Sequence, residues 1–210
     1  MTGHRSSGAA RLLPVPPGYA AAMNAITLLK NDHKTVEGLF KRFEKLGPRA
    51  VKSKQDVVER IVRELSIHAA IEEMLFYPAV REAAEDGGPA ADMVLESLEE
   101  HHIVKWVLAE LDGMSAEHER YDAKVTVLME NVRHHVKEEE KDLFPQVTKL
   151  LGRARLDDLG EAMMKAKKTV PTRPHPRSPD EPPGNLVAGA GAALMDKAVT
   201  AGRKLVRQKA

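Results

Sequence analysis

The chain has no cysteine, which excludes disulfides, thiolate zinc sites, cysteine-held iron–sulfur clusters and a cysteine nucleophile. Only His, Asp and Glu are left as strong metal ligands. Net charge is scarce too: 32 Lys and Arg face 31 Asp and Glu, a formal +1. No global field therefore draws nucleic acid. No apolar run approaches the roughly 20 residues that cross a bilayer. The stretch GYAAAMNAITLLK, with Arg5 and Arg11 before it, is too brief and interrupted for a signal peptide. These absences predict a cytoplasmic protein without a nucleic-acid partner.

What is present is a duplication. His33, His68, Glu72 and Pro78 recur as His101, His135, Glu139 and Pro145, displaced by 68, 67, 67 and 67 residues. The flanking text repeats as well, HAAIEEMLFYP at 68–78 facing HHVKEEEKDLFP at 134–145. Histidines and carboxylates that duplicate together inside apolar helical patterns are candidate ligands.

The surrounding periodicity predicts an all-α protein, an up-down-up-down four-helix bundle over 23–169. Residues 1–22, rich in Gly, Pro and Ser, are predicted disordered. The first stripe reads Ile26, Leu29, His33, Val36, Phe40 and Phe43, and Gly47-Pro48 ends it. Ser53 is the expected N-cap of a second helix whose stripe is Ile61, Leu65, His68, Glu72 and Leu75. That helix must bend or loosen at Pro78. A third helix near 90–114 buries Val94, Leu98, His101, Val104, Leu108 and Leu111. A fourth near 118–150 buries Leu128, Val132, His135, Glu139 and Leu143, stopping at Gly152. A short fifth helix follows at about 154–168, with Met163 and Met164 covering the bundle end. Residues 170–185 read as an extended proline-rich linker. Residues 186–210 read as a weakly amphipathic helix or tail carrying Lys197, Arg203, Lys204, Arg207 and Lys209. Its two readings are a frayed solvated tail and a docking helix for a partner or an anionic membrane surface.

Residues four apart on a helix lie on one face, about 6 Å apart. His68 with Glu72, and His135 with Glu139, therefore each aim an imidazole and a carboxylate at one interior point. His33 and His101 sit on the same stripe of the other two helices. Burying two carboxylates together is costly unless cations compensate. Four imidazoles and two bridging glutamates give each of two metals about two nitrogens and two oxygens. An oxo, hydroxo or water bridge completes each set and leaves a position open. That mix suits iron or manganese, with zinc the poorer fit.

Other polar residues are read more plainly. His102 and His134 lie about 100° off the stripe, partly exposed, with a proton-relay role left open. His118 sits at a helix start, and His4 and His175 lie in the tails without a role. Glu64 has Asn131 as its counterpart and is not counted as a ligand. Glu73 and Glu140 are assigned to the solvated face. Tyr77, where the other copy has Phe144, either packs or hydrogen-bonds a bound oxygen species.

The segments NDHKTVEGLF, HAAIEEMLFYP, EEHHIVKWVL and HHVKEEEKDLFP resemble the hemerythrin-like family, the HHE cation-binding domain, over about residues 24–150. The resemblance implies a four-helix bundle around a non-haem di-iron centre. It implies His33, His68, His101 and His135 as histidine ligands and Glu72 and Glu139 as bridging carboxylates. In the third helix the phase selects His101 over His102. Oxygen-carrying members have a further histidine where this chain has Ser97, and an aspartate five residues after the last histidine, where Glu139 comes at four. The pattern is instead similar to family members that handle peroxide or nitric oxide. The function implied is reaction with a small oxidant, peroxide in a catalase-like reaction or nitric oxide. The alternatives are oxygen or iron sensing or binding, and iron donation to damaged iron centres.

Overall fold

The computed structural model describes residues 23–207 except Asp86 and Pro183. The disorder expected for residues 1–22, and His4 with it, falls outside the described residues. Helix α1 is Ala25–Glu44, capped by Asn24, whose Oδ1 accepts the Thr27 N–H at 2.8 Å. Helix α2 is Val51–Ile71. The Ser53 cap is not found there, because the Gly47–Ala50 turn runs straight into the helix and Ala50 holds the cap position. Then come α3 (Tyr77–Ala83), α4 (Pro89–Gly113), α5 (Tyr121–Glu138), α6 (Phe144–Ala166) and α7 (Gly184–Arg207). Among the described residues there is no strand, and no helix is long and apolar enough to cross a membrane.

Two π-turns interrupt the second and fourth rods, at Glu72–Phe76 and Glu139–Leu143. Each is closed by an N–H five residues ahead, Tyr77 to the Glu72 carbonyl and Phe144 to the Glu139 carbonyl. The proline that follows has no N–H to continue the α pattern, so the loosening expected at Pro78 takes this form in both copies. The extra residue also shifts the phase. Leu75, expected on the inward stripe, is only half-buried, and Phe76 takes its place at 0% exposure.

Packing divides the interior into two apolar clusters. One contains Leu28, Leu29, Ile71, Phe76, Val94, Leu98, Leu143 and Phe144. The other contains Val36, Phe40, Ile61, Leu65, Val104, Leu108, Leu128 and Val132. On α1, α4 and α5 the break between them falls at the histidine, and on α2 it comes just before His68, between Leu65 and Ile67. Helix α6 kinks at Gly152, whose φ of 68° favours glycine, and its second half folds back on the start of α1. The approach is close: a Cβ on Gly160 would lie 2.2 Å from the Met23 carbonyl oxygen. Met163 is fully buried there, whereas Met164, expected to cover the same end, is exposed.

The C-terminal segment differs most from expectation. The stretch read as a free linker lies on the bundle. Asp180 pairs with the buried Lys105, Arg173 with Asp112, and Arg81 with Glu181 at 2.5 Å. Asn185 Nδ2 donates to the Glu73 carbonyl at 3.0 Å. Asp196, 2% exposed, accepts the Thr172 and Arg173 N–H groups and faces His175 Nε2 at 3.1 Å. His175, given no role above, thus ties the strap to α7. The reading of a frayed tail does not hold for this part. Of the basic residues on which the anionic-surface reading rests, Lys197 is exposed, and the side chains of Arg203, Lys204, Arg207 and Lys209 fall outside the described ones.

Candidate metal centre

Six side chains of the duplicated pattern converge on the layer between the two apolar clusters. His33, His68, His101, His135, Glu72 and Glu139 are each at most 6% exposed. The imidazoles meet in pairs, His33 Nε2 to His68 Nε2 at 3.2 Å and His101 Nε2 to His135 Nε2 at 3.2 Å. Glu72 Oε2 lies 3.1 Å from His68 Nε2 and 3.5 Å from His101 Nε2. Glu139 Oε2 lies 3.3 Å from His33 Nε2 and 3.6 Å from His135 Nε2. Each glutamate thus touches both histidine pairs. Two groupings with metal-ligand spacing result, His33–His68–Glu72–Glu139 and Glu72–His101–His135.

The other ring nitrogens face carboxylates. His33 Nδ1 meets Glu140 at 2.9 Å, His101 Nδ1 meets Glu73 at 3.0 Å and His135 Nδ1 meets Glu100 at 2.6 Å. His68 Nδ1 faces Asp32 more loosely at 3.6 Å. The arrangement is cyclic around the bundle, each helix carrying a histidine and the carboxylate that orients the next helix's histidine. A proton held on Nδ1 leaves Nε2 free as a donor to metal and raises its basicity. Glu73 therefore does not face solvent as expected, whereas Glu140 keeps a 36% exposed side chain while turning its carboxylate to His33. Glu73 is buried and also binds Lys105 at 3.0 Å. Sequence reading missed Asp32 and Glu100 altogether. Their signal was present, since each directly precedes a candidate histidine and they recur 68 residues apart. Replacing Glu73 by Gln is expected to weaken metal retention by about 10- to 100-fold, which competition with a chelator measures. An unchanged dissociation rate would leave Glu73 a packing residue.

Electrostatics bears on whether these donors suit cations. Burial drops His68 to about 4, against the pull of Asp32, so its ring is neutral near neutral pH. Burial likewise lowers His101. His135 is raised: burial opposes this, but the Glu139 and Glu100 carboxylates outweigh it. Burial and the neighbouring Glu139 push Glu72 well above the carboxylate range. For Glu139 burial acts in the same direction, but His135 and His33 hold it well below that range. Both oxygens of Glu72 and Oε2 of Glu139 are buried without a hydrogen-bond partner. Orphaned carboxylate oxygens cost several kcal/mol each. Facing four imidazole Nε2 atoms, they fit divalent cations that accept nitrogen and oxygen together.

The duplication is broken at one atom. Phe144 stacks on His33, with ring centres 6.0 Å apart, and Tyr77 takes the matching place on His101 at 5.5 Å. The Tyr77 hydroxyl donates to Glu139 Oε1 at 2.9 Å and lies 3.3 Å from His101 Nε2. Burial, with the charges of Glu139 and Glu72, raises it well above its ordinary value, so it keeps its proton. Ser97 is buried on α4. The remaining candidates stay outside. His102 binds Trp106 at the surface, His134 is 62% exposed beside Glu138, and His118 caps the Arg120 N–H. Glu64 is half-buried and joins neither grouping.

The model of the hemerythrin HHE cation-binding domain matches residues 24–147. The chain belongs to that family. It is thus a cation-binding helical module, and the matched span contains the whole histidine layer. It is 32% identical over 138 residues to an uncharacterised hemerythrin-like protein of Schizosaccharomyces pombe, covering 66% of this chain and 67% of that one. It is 31% identical over 144 residues to an uncharacterised protein of Mycobacterium tuberculosis H37Rv, covering 67% and 83%. A crystal structure of an HHE cation-binding domain-containing protein from Mycobacterium kansasii, a homologue of that tuberculosis protein, is similar with a TM-score of 0.59. The identity is 25%, over 69% of this chain and 85% of that one. The C-terminal strap lies outside the residues that the family model matches.

Proposed function

We propose that the protein holds two non-haem iron ions and reacts with a small oxidant, either hydrogen peroxide in a catalase-like dismutation or nitric oxide. His33, His68, His101, His135, Glu72 and Glu139 are the proposed ligands. The observation that carries this reading is the pairing of imidazoles into two sets that share both glutamates. Six donors exceed one closed tetrahedral site and suit two adjacent open ones. Bound iron would supply a redox couple matched to peroxide or nitric oxide.

The chain's own residues do the rest. The carboxylates on Nδ1 hold each imidazole in register, and the two apolar clusters flank the layer above and below. In dismutation one peroxide leaves as dioxygen, giving up two electrons and two protons, and a second takes them to leave as two waters. Tyr77 Oη supplies a hydrogen-bond donor on one side of the centre, and Phe144 supplies none on the other.

The test is anaerobic iron loading with metal counting, followed by peroxide, nitric oxide and oxygen in turn. About two irons per chain are expected, with oxygen release from peroxide or consumption of nitric oxide. One zinc per chain with no iron uptake would overturn the reading. A reversible oxygen adduct without turnover would move it to a carrier or sensor. Tyr77→Phe is expected to keep its iron and lose about 10- to 100-fold in turnover. Equal rates at equal iron loading would make Tyr77 a packing residue.

A further inference from the structure

A cavity of about 700 Å³ adjoins the histidine layer on the side away from Glu72 and Glu139, and its walls include all four candidate histidines. Peroxide fills little more than two water volumes, about 60 Å³. The space is an order of magnitude larger than that and falls in the range of small-molecule sites, about 300–1,000 Å³. Its interior is built by Val36, Phe40, Leu65, Val104, Val132 and Val136, drawn from all four long rods. From His33 to Phe40 the helix rises about 10 Å, the length of a medium alkyl chain.

The mouth lies between α1 and α5 and has a different character. Lys34, Lys41, Arg133, Lys137 and Lys141 stand there with Glu37 and Glu140. Both carboxylates are already engaged, Glu37 by Arg133 at 2.9 Å and Glu140 by His33 at 2.9 Å. Lys34 and Lys137 are exposed. Of the cations, Arg133 pairs with Glu37 and Glu44, Lys41 with Glu37 and Lys141 with Asp142, so Lys34 and Lys137 are the ones that face an anionic ligand at the rim of the apolar shaft.

We infer that this cavity is a binding site for a linear amphiphilic carboxylate. The alkyl chain lies against the valines with its end toward the imidazoles, and the carboxylate sits at Lys34 and Lys137. The cavity opens onto the four histidines of the proposed metal site and rests on that reading of the layer, but it goes beyond it, since neither peroxide nor nitric oxide needs such a volume or a basic rim.

Calorimetry on the iron-loaded full chain with decanoate, acetate and decyltrimethylammonium tests this. Decanoate is expected to bind at least about tenfold tighter than acetate, because only it buries methylenes. It should also bind tighter than the cation of equal chain length. Lys34→Glu combined with Lys137→Glu, both at the surface, should weaken decanoate about tenfold and remove its advantage over the cation. Val132→Phe, which fills the shaft, should abolish decanoate binding. The surface double variant carries the test if that protein does not fold. Decanoate binding no tighter than acetate would overturn the inference. So would equal affinity in the charge-reversed protein, and an accompanying change in the iron spectrum would place the carboxylate on the metals instead. Iron content measured on the same samples separates failure here from failure of the metal proposal.

Discussion

Substituting His68 or His135 by alanine is expected to remove at least half of the bound metal and lower the melting temperature by about 10 °C. Each imidazole belongs to one of the two sets, so its loss weakens that set first. Metal that binds only the folded chain stabilises it by about 4 kcal/mol at a thousandfold excess over its dissociation constant. For a domain of this size each kcal/mol moves the midpoint by roughly 2–4 °C. Deletion adds an electrostatic cost. Without His68, Asp32 loses its histidine partner and the buried Glu72 loses the imidazole 3.1 Å away. Metal analysis and melting curves with and without chelator check this. If both variants keep full metal and an unchanged midpoint, the ligands lie elsewhere.

Deleting residues 171–210 is expected to lower stability by about 2–4 kcal/mol, the scale of a few charge-assisted hydrogen bonds and some buried apolar surface. A loose proline-rich linker would predict almost no loss; the contacts with Lys105, the Glu73 carbonyl and Asp112 lead to the opposite expectation. The strap covers the Lys105–Glu73 pair, and Glu73 in turn binds His101. Truncation removes Asp180 from Lys105 and Asn185 from the Glu73 carbonyl. Metal should therefore also leave faster from the truncated chain. Melting curves and chelator-competition rates read the two effects separately. A truncated chain with the wild-type midpoint would show that the strap rests on the bundle without supporting it.

Much of the bundle was legible because its rods are long and amphipathic. A 3.6-residue period that places Val36, Leu65, Val104 and Val132 inward also fixes the phase of His33, His68, His101 and His135. Buried glutamates at matching offsets then point to cations, since their burial is otherwise costly. Local chemistry was less secure. The Ser53 cap failed because cap choice depends on how the preceding turn enters the helix. Leu75 lost its inward place because a π-turn adds a residue that no constant period contains.

By itself the sequence determined the helical class, the duplicated histidine and glutamate pattern and the residues that share a layer, because each of these follows from spacing along a single rod. Only the tertiary structure decided which carboxylate orients which histidine, since Asp32, Glu73, Glu100 and Glu140 act on a neighbouring helix and not on their own. It also decided that Tyr77 turns its hydroxyl onto Glu139, that the apolar shaft opens at a basic rim, and that the C-terminal strap docks over Glu73 and Lys105. Those outcomes depend on how rods and strap come together across the chain, and no period within one helix encodes that distance.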